Sequence, residues 1–159
     1  MTSLTVPVIL TAMAARIRKV DGIVDAFYPA KNQVQNSPAV ALYWSGPQNT
    51  RIEHGTGGQM WIVSVKAQVL GNRQGNDTPA EFARVDNLLT PIVDAFAVDP
   101  DGHGVNSILD FPADIDGRVS RVLLTDLRPS LQIQYAGVIY YAAELYWDIK
   151  FHRVPEYLP

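Results

Sequence analysis

The stretch AGVIYYAAELYWDIKFHR, residues 136 to 153, decides the fold of this chain. From Tyr141 onward every second residue is apolar or aromatic, and the set reads Tyr141, Ala143, Leu145, Trp147, Ile149 and Phe151. The intervening set is mostly polar and reads Tyr140, Ala142, Glu144, Tyr146, Asp148, Lys150 and His152. Such alternation is typical of a β-strand with one buried face and one solvated face. We therefore predict a strand here whose buried face contributes to the core.

The length of this strand is unusual for a small protein. Residues 138–153, fully extended, would span roughly 50 Å at about 3.3 Å per residue. A compact chain of 159 residues has a diameter of about 40 Å. The strand is therefore expected either to bend at a bulge, with Ala142-Ala143 as the candidate, or to present unpaired hydrogen-bonding groups to a strand of another molecule.

Composition limits the class of protein. A chain of 159 residues fits a single domain, 1–159, and the absence of cysteine leaves no disulfide. The net charge of −3 argues against a dedicated nucleic-acid binder. No apolar run approaches the roughly 20 residues of a membrane span, and no basic segment precedes the first apolar run as in a signal peptide. We expect an intracellular, single-domain protein without membrane association.

Hydrophobic periodicity predicts an α+β fold. Thr5 and Pro7 suit the start of a helix over residues 5–20, and Thr78-Pro79-Ala80-Glu81 is a capping box for a helix that Pro91 should kink near Thr90. The predicted strands cover residues 39–45, 59–70, 118–127 and 130–153. The expected architecture is a largely antiparallel or mixed sheet with two amphipathic helices on one face, in the order α-β-β-α-β-β(-β).

The segments between these elements are rich in glycine and turn residues. We expect residues 46–58 and 71–77 to be mobile loops, and 99–117 to be irregular apart from a short strand at 107–109. The sequence DPDGHGVNSILD, 99–110, has a calcium-loop spacing of acidic residues but lacks the final glutamate and a following helix. An acidic, turn-rich loop is therefore the interpretation.

Catalytic and metal-binding patterns are not found. The three histidines, His54, His103 and His152, lie in separate segments, and there is no G-x-S-x-G motif. Glu144 and Asp148 fall on the solvated face of the strand, where charged residues are expected. We therefore expect no catalytic, cofactor-binding or metal-binding residues.

The candidate functional residues belong instead to an interaction surface. Tyr140 and Tyr146 are aromatic residues on the solvated face, and exposed aromatic residues can mark an interface. The alternative is that they cover cross-strand neighbours. Together with these two tyrosines, the predicted interface residues are Glu144, Arg51 and His54.

The order of segments resembles the tail terminator proteins of long-tailed bacteriophages, which take part in head-to-tail joining. The resemblance covers nearly the full length. Its segments are VPVILTAMAARIRKV, AVALYWSG with QMWIVSVKAQVL, TPAEFARVDNLLTPIVDAF, and VSRVLLTDLRPSLQIQYAGVIYYAAELYWDIKF with a corner at Arg128-Pro129-Ser130. It implies a structural virion protein that forms a ring, usually a hexamer, on the tail tube. Such a ring ends tail polymerisation, binds the tube and a neck or head-completion protein, and lets DNA pass without specific binding.

A second hypothesis comes from another class of protein. Long curved strands after a helix also describe a cone-shaped α+β protein with an apolar pocket that binds or converts a small molecule. Trp61, Tyr141 and Trp147 would then line the pocket, and Asp148 or His152 would supply acid-base chemistry. The mass in solution separates the two hypotheses, because a ring is a larger assembly than a monomer or dimer.

Overall fold

The computed structural model describes residues 2–45, 50–75, 78–97, 109, 111 and 114–156. Within these ranges the helices are α1 (Val6–Ile17), α2 (Thr78–Asp86) and α3 (Leu89–Asp94). The strands are β1 (Thr2–Ser3), β2 (Asp25–Phe27), β3 (Ala39–Trp44), β4 (Arg51–Gly55), β5 (Gly58–Arg73), β6 (Ile115–Asp116), β7 (Arg118–Tyr135) and β8 (Val138–Arg153). The α+β class is as predicted, but the element order differs because the sequence analysis missed the short strands.

The main sheet is mixed and mostly antiparallel. Its strand order is β2-β3-β5-β8-β7, and β4 pairs with β5 on the same side as β3. The pairs β3–β5, β4–β5, β5–β8 and β7–β8 are antiparallel, whereas β2 and β3 run parallel. A separate two-stranded sheet joins β1 and β6.

The long strand β8 lies in the interior of this sheet. It pairs with β5 from Arg153 to Tyr140 and with β7 from His152 to Val138. Both hydrogen-bonding edges of β8 are therefore occupied within the chain. The expectation that β8 would offer unpaired groups to another molecule was wrong, because β5 and β7, with 16 and 18 residues, are as long as β8 itself.

The irregularities of the sheet lie on the neighbours of β8. The register shifts once along β5, between Leu70 and Arg73, and three times along β7. Ala142 and Ala143 pair with Leu70 and Val69 of β5, but the β5 register shifts directly after Leu70, and the β7 shift between Arg128 and Leu131 lies opposite Ala143. The irregularity expected at Ala142-Ala143 is therefore present, with the extra residues on the two neighbouring strands and not on β8. Bulges bend and twist a strand, and here the extra residues lie on β5 and β7, the two neighbours of β8.

The expected corner at Arg128-Pro129-Ser130 lies inside β7. It is one of the three β7 irregularities, and Ser130 has a positive φ of 56°. The chain reverses instead at Ala136 and Gly137, whose φ angles of 50° and 82° suit a tight two-residue hairpin turn. The single predicted strand over 130–153 is therefore the end of β7, a turn and β8.

The three helices pack on one face of the main sheet. Thr5 caps α1 as predicted, because its hydroxyl accepts a hydrogen bond from the amide of Val8 at 3.5 Å. The odd-numbered residues of β8 face these helices: Trp147 contacts Phe96 edge to face at 5.6 Å, and Tyr141 contacts Phe82 at 5.0 Å. The predicted buried face of the terminal strand is confirmed.

The capped helix is divided, as the proline predicts. The break falls at residues 87–88, slightly before Thr90, and Pro91 occupies the first turn of α3. A proline is tolerated in a first turn because its missing amide would have no intrahelical partner.

Two predicted loops contain strand. Residues 51–55 form β4, which pairs with the first residues of β5 in a hairpin that turns at Thr56 and Gly57, and residues 71–73 belong to β5. The expectation that 46–58 and 71–77 are loops throughout was therefore wrong. The calcium-like stretch and the short strand expected at 107–109 lie almost entirely outside the described residues, Leu109 excepted.

Candidate interaction surface

Among the described residues, one end of the sheet face opposite the helices is covered by a chain segment. There the segment 28–38 lies over a second apolar cluster, whose buried members are Phe27, Ala39, Ala41, Leu70, Tyr135, Tyr140 and Ala142. The Tyr135 hydroxyl donates to the carbonyl of Lys31 at 2.7 Å and lies 3.0 Å from the amide of Lys31. These contacts tie the covering segment to the end of β7.

Tyr140 belongs to this cluster and is 4% exposed. The prediction that Tyr140 is an exposed aromatic residue was wrong. Alternation placed it on the correct face of β8, but the sequence gave no sign that 28–38 covers that face. In this chain, Tyr140 is not available to a partner.

Further along the same face, the uncovered part of the sheet carries a band of polar and aromatic side chains. Its members are Tyr43 on β3, Ser64, Lys66 and Gln68 on β5, and Glu144, Tyr146 and Asp148 on β8. Each is only partly buried. We call this set the polar band.

Glu144 is the centre of the polar band. Its side chain is 13% exposed and lies 3.8 Å from the ammonium of Lys66. Its carboxylate accepts hydrogen bonds from the amide of Gln68 and the hydroxyl of Tyr146, each at 3.2 Å. A carboxylate with this many partners is held in one position on the surface of the sheet.

The hydroxyl groups of the two tyrosines of the polar band are protonated at neutral pH. Burial raises the pKa of Tyr146, and the nearby carboxylate of Glu144 raises it further. Burial is also the main cause of a raised pKa for Tyr43, followed by the neighbouring Tyr135. Both hydroxyls therefore stay protonated, because a raised pKa moves ionisation further above neutral pH.

The ring of Tyr146 makes a cation–π contact with Arg128. The guanidinium of Arg128 lies 4.9 Å from the centre of its ring and is paired with Asp126 at 2.8 Å. Tyr146 thus covers cross-strand neighbours within its own chain, which is the alternative that the sequence left unresolved. An additional role for Tyr146 and Glu144 in an interface stays a prediction.

Arg51 and His54, the other two predicted interface residues, lie on β4. All five residues of this strand are exposed. His54 contacts Gln59 across the hairpin at 3.3 Å. Ile52, which lies between Arg51 and His54 in the sequence, is an apolar side chain that is 42% exposed. The structure therefore places Arg51 and His54 on a projecting hairpin, away from Glu144 and Tyr146.

The residues of the small-molecule hypothesis do not meet in one cavity. Tyr141 and Trp147 are fully buried against the helices, and Trp61 lines a crevice of about 130 Å³ with Phe151 and Arg153. Asp148 projects from the opposite face of β8 and accepts a hydrogen bond from Ser64 at 3.1 Å. Ligand pockets usually measure about 300–1,000 Å³, so the crevice is small by comparison.

Other polar groups are also dispersed. His152 and His54 line a shallow cavity of about 210 Å³ beside the hairpin, together with Glu53. Across the described parts of the chain, no three histidine, aspartate or glutamate side chains are grouped as metal ligands. None of the helices described is long and apolar enough to cross a membrane.

The sequence analysis missed two features of the surface. One is that β7 and β4 are outer strands at opposite sides of the sheet. The other is the ion pair of Asp25 with Lys31 at 2.8 Å, which fixes the covering segment. Strand neighbours are set by contacts between distant residues, so the local pattern gave no signal of strand order.

No protein family model matches this sequence. No curated protein matches it at a significant level.

Proposed function

We propose that this chain is a structural virion protein of a long-tailed bacteriophage, a tail terminator. Copies assemble into a ring, expected to hold six, at the end of the tail tube. The ring ends polymerisation of the tube and offers a surface to the neck or head-completion protein. The protein is made in the host cytoplasm and remains in the virion, and DNA passes through the ring without specific binding.

The observation that carries the proposal is the β4–β5 hairpin. β5 continues from its buried part, where Val63, Val65 and Ala67 are fully buried, into Gly58–Ile62, which is only partly buried. Its partner β4 is exposed throughout. A strand pair that extends beyond its own core contributes little to the stability of its own domain, and its exposure suits contact with another molecule.

The arrangement of the polar groups favours a structural role over an enzymatic one. Glu144 and Asp148, the carboxylates of the polar band, accept hydrogen bonds from neighbouring side chains, and neither lines the cavities described above. A catalytic carboxylate works in a concave site beside a bound substrate. The segment order that resembles tail terminators supports the same conclusion.

The test combines solution mass with tube assembly. The purified chain should form a ring-sized assembly by native mass spectrometry, and adding it to polymerising tail-tube protein of the same phage should stop elongation. Tube lengths and end-bound rings are counted by electron microscopy. A variant in the hairpin, Ile52→Asp, should lose this effect, whereas Asp94→Asn on α3 should keep it. A wild-type monomer that leaves tube growth unchanged would contradict the proposal.

A further inference from the structure

The main sheet has outer strands on both sides: β7 on one side, and β4 and the three-residue β2 on the other. Among the described residues, β7 pairs only with β8, and β4 pairs only with β5. An outer strand presents backbone amides and carbonyls that can pair with another chain. β4 and β7 therefore form two different candidate surfaces on one molecule.

Strand direction allows these two surfaces to meet. β4, β5, β8 and β7 alternate in direction, because each adjacent pair is antiparallel. β7 therefore runs opposite to β4. If copies are related by rotation about an axis along the strands, β7 of one copy meets β4 of the next as an antiparallel pair, and a head-to-tail contact of this kind closes into a ring.

The part of β7 that remains available matches β4 in length. Beyond residue 126 the outer strand is already occupied: Asp126 accepts a hydrogen bond from the amide of Leu127 at 2.9 Å, Pro129 has no amide hydrogen, and Asp86 accepts from the amide of Ser130 at 3.0 Å. The register with β8 shifts before residue 121, and again between Leu124 and Asp126, where Thr125 is the added residue. Residues 121–126 thus remain, against five residues in β4.

Most of the large apolar side chains that are exposed lie on β4 and β7. Five large apolar residues are exposed among those described, and three of them are Ile52 on β4 and Leu123 and Leu127 on β7, at 42%, 45% and 39%. Apolar side chains on an outer strand favour pairing, whereas charged ones oppose it unless they meet the opposite charge.

One register brings compatible side chains together. If Ile52 lies opposite Leu124, both face the helix side of the sheet, as their partners Trp61 and Trp147 do. Arg51 then lies opposite Thr125 and next to Asp126, which already pairs with Arg128 at 2.8 Å. In the same register Glu53 lies opposite Leu123 and diagonal to Arg121, so an acidic residue of β4 is next to a basic residue of β7.

We propose that β4 of one copy pairs antiparallel with residues 121–126 of β7 in the next copy, so that the sheet continues from subunit to subunit. This inference rests on the proposed function, because it specifies the contact that closes the ring. It assigns Arg51 and Ile52 to that contact and leaves Glu144 and Tyr146 outside it. A pairing of β7 with β7 is the rival, and it would make a closed dimer instead.

The chain contains no cysteine, so engineered thiols report on this contact without background. Ile52→Cys and Leu124→Cys, mixed as single variants and oxidised, should give a disulfide-linked heterodimer. The double variant should give a ladder of linked copies on a non-reducing gel. Ile52→Cys with Leu123→Cys is the matched control, because Leu123 faces the other side of β7, and it should cross-link much less.

Each result of this experiment decides one or both proposals. A ladder from the double variant supports the β4–β7 contact. If the same protein leaves tube growth unchanged, the contact is still supported but the proposed function is overturned. A ring-sized assembly without the ladder overturns the contact and leaves the proposed function standing. Disulfide dimers from Leu124→Cys alone overturn it in favour of β7–β7 pairing. A protein that stays monomeric without cross-linking overturns both.

A charge exchange tests the register independently. Glu53→Arg should reduce the assembled fraction severalfold, since it places two arginines side by side. Adding Arg121→Glu should restore assembly, while Arg121→Glu alone should weaken it. If the double variant is folded by circular dichroism but does not assemble, this register is overturned.

Discussion

Trp147 and Tyr146 are adjacent residues that face opposite sides of β8. Trp147 is 1% exposed against the helices and contacts Phe96 edge to face, whereas the Tyr146 hydroxyl donates to Glu144 on the other face. We expect Trp147→Ala to lower the free energy of unfolding by about 3–5 kcal/mol. Tyr146→Phe, which removes one hydroxyl, should cost about 1 kcal/mol. Chemical denaturation of both variants checks this, and similar losses would refute the assignment of faces.

We expect Asp25 to make the free energy of unfolding depend on pH in the acid range. A hydrogen bond from Lys31 is the main cause of its lowered pKa, and Arg18 at 3.7 Å adds to it. A carboxyl group with a lowered pKa in the folded state stabilises the fold above its ordinary pKa of 3.8, and this stabilisation disappears as the pH falls through the lowered value. Asp25→Asn should therefore be less stable than wild type at neutral pH, with the difference vanishing in acid.

The measurement is the free energy of unfolding of Asp25→Asn and wild type across this acid range. A Lys31→Met background supplies the control, because removing the main partner should shrink the difference at neutral pH. A difference that is unchanged by Lys31→Met, or that persists below the lowered pKa, would contradict this account.

Among the helices and strands, the features predicted correctly are those that the local sequence pattern determines. The start of α1, the division of the second helix and the buried face of β8 follow from capping, proline and alternation. The strand partners of β8 and the covering of Tyr140 depend on contacts between distant residues, so they were not predicted. The Ala136-Gly137 turn was a local signal that was overlooked, since a glycine between two alternating runs is typical of a hairpin.

Gly71 shows how a single position joins two elements. A Cβ atom there would lie 2.4 Å from Cγ2 of Val85 on α2 and 3.1 Å from the carbonyl oxygen of Tyr141. We expect Gly71→Ala to lower the free energy of unfolding by about 1–3 kcal/mol, because α2 must move away from the sheet. Gly75→Ala is the matched control, since its nearest atom is at an ordinary 3.8 Å.

Denaturation of both glycine variants tests this close approach. The double variant Gly71→Ala with Val85→Ala should lose less stability than the sum of the two single variants, because shortening Val85 makes room for the added methyl group. Strict additivity would show that the contact between β5 and α2 is not the cause of the loss.

For the whole molecule, the proposed assembly depends on the outer strands β4 and β7. β8 is satisfied inside the sheet, so the length of the terminal strand is explained within one chain and does not itself require a partner. What favours a ring is that β4 and β7 differ from each other and lie on opposite sides. Two unlike surfaces on one molecule produce head-to-tail assembly, whereas one self-complementary surface produces a dimer.

A ring built from this chain should let DNA pass without holding it. Each copy adds a net charge of −3, so the assembled ring is acidic overall. Tight binding to duplex DNA requires many lysine and arginine contacts that release counterions, and its affinity falls steeply with added salt. Two arginines already make contacts within the chain. Arg128 pairs with Asp126 and lies over the ring of Tyr146, and Arg153 lies over the ring of Trp61. We therefore expect weak affinity of the assembled protein for duplex DNA, with little dependence on salt.

Fluorescence anisotropy with a labelled duplex, measured over a series of salt concentrations, checks this expectation. A basic DNA-binding protein measured alongside provides the steep salt dependence expected of counterion release. Tight binding by the assembled protein that weakens steeply with salt would mean that basic side chains line the passage. The ring would then grip DNA, which is incompatible with free transit through its centre.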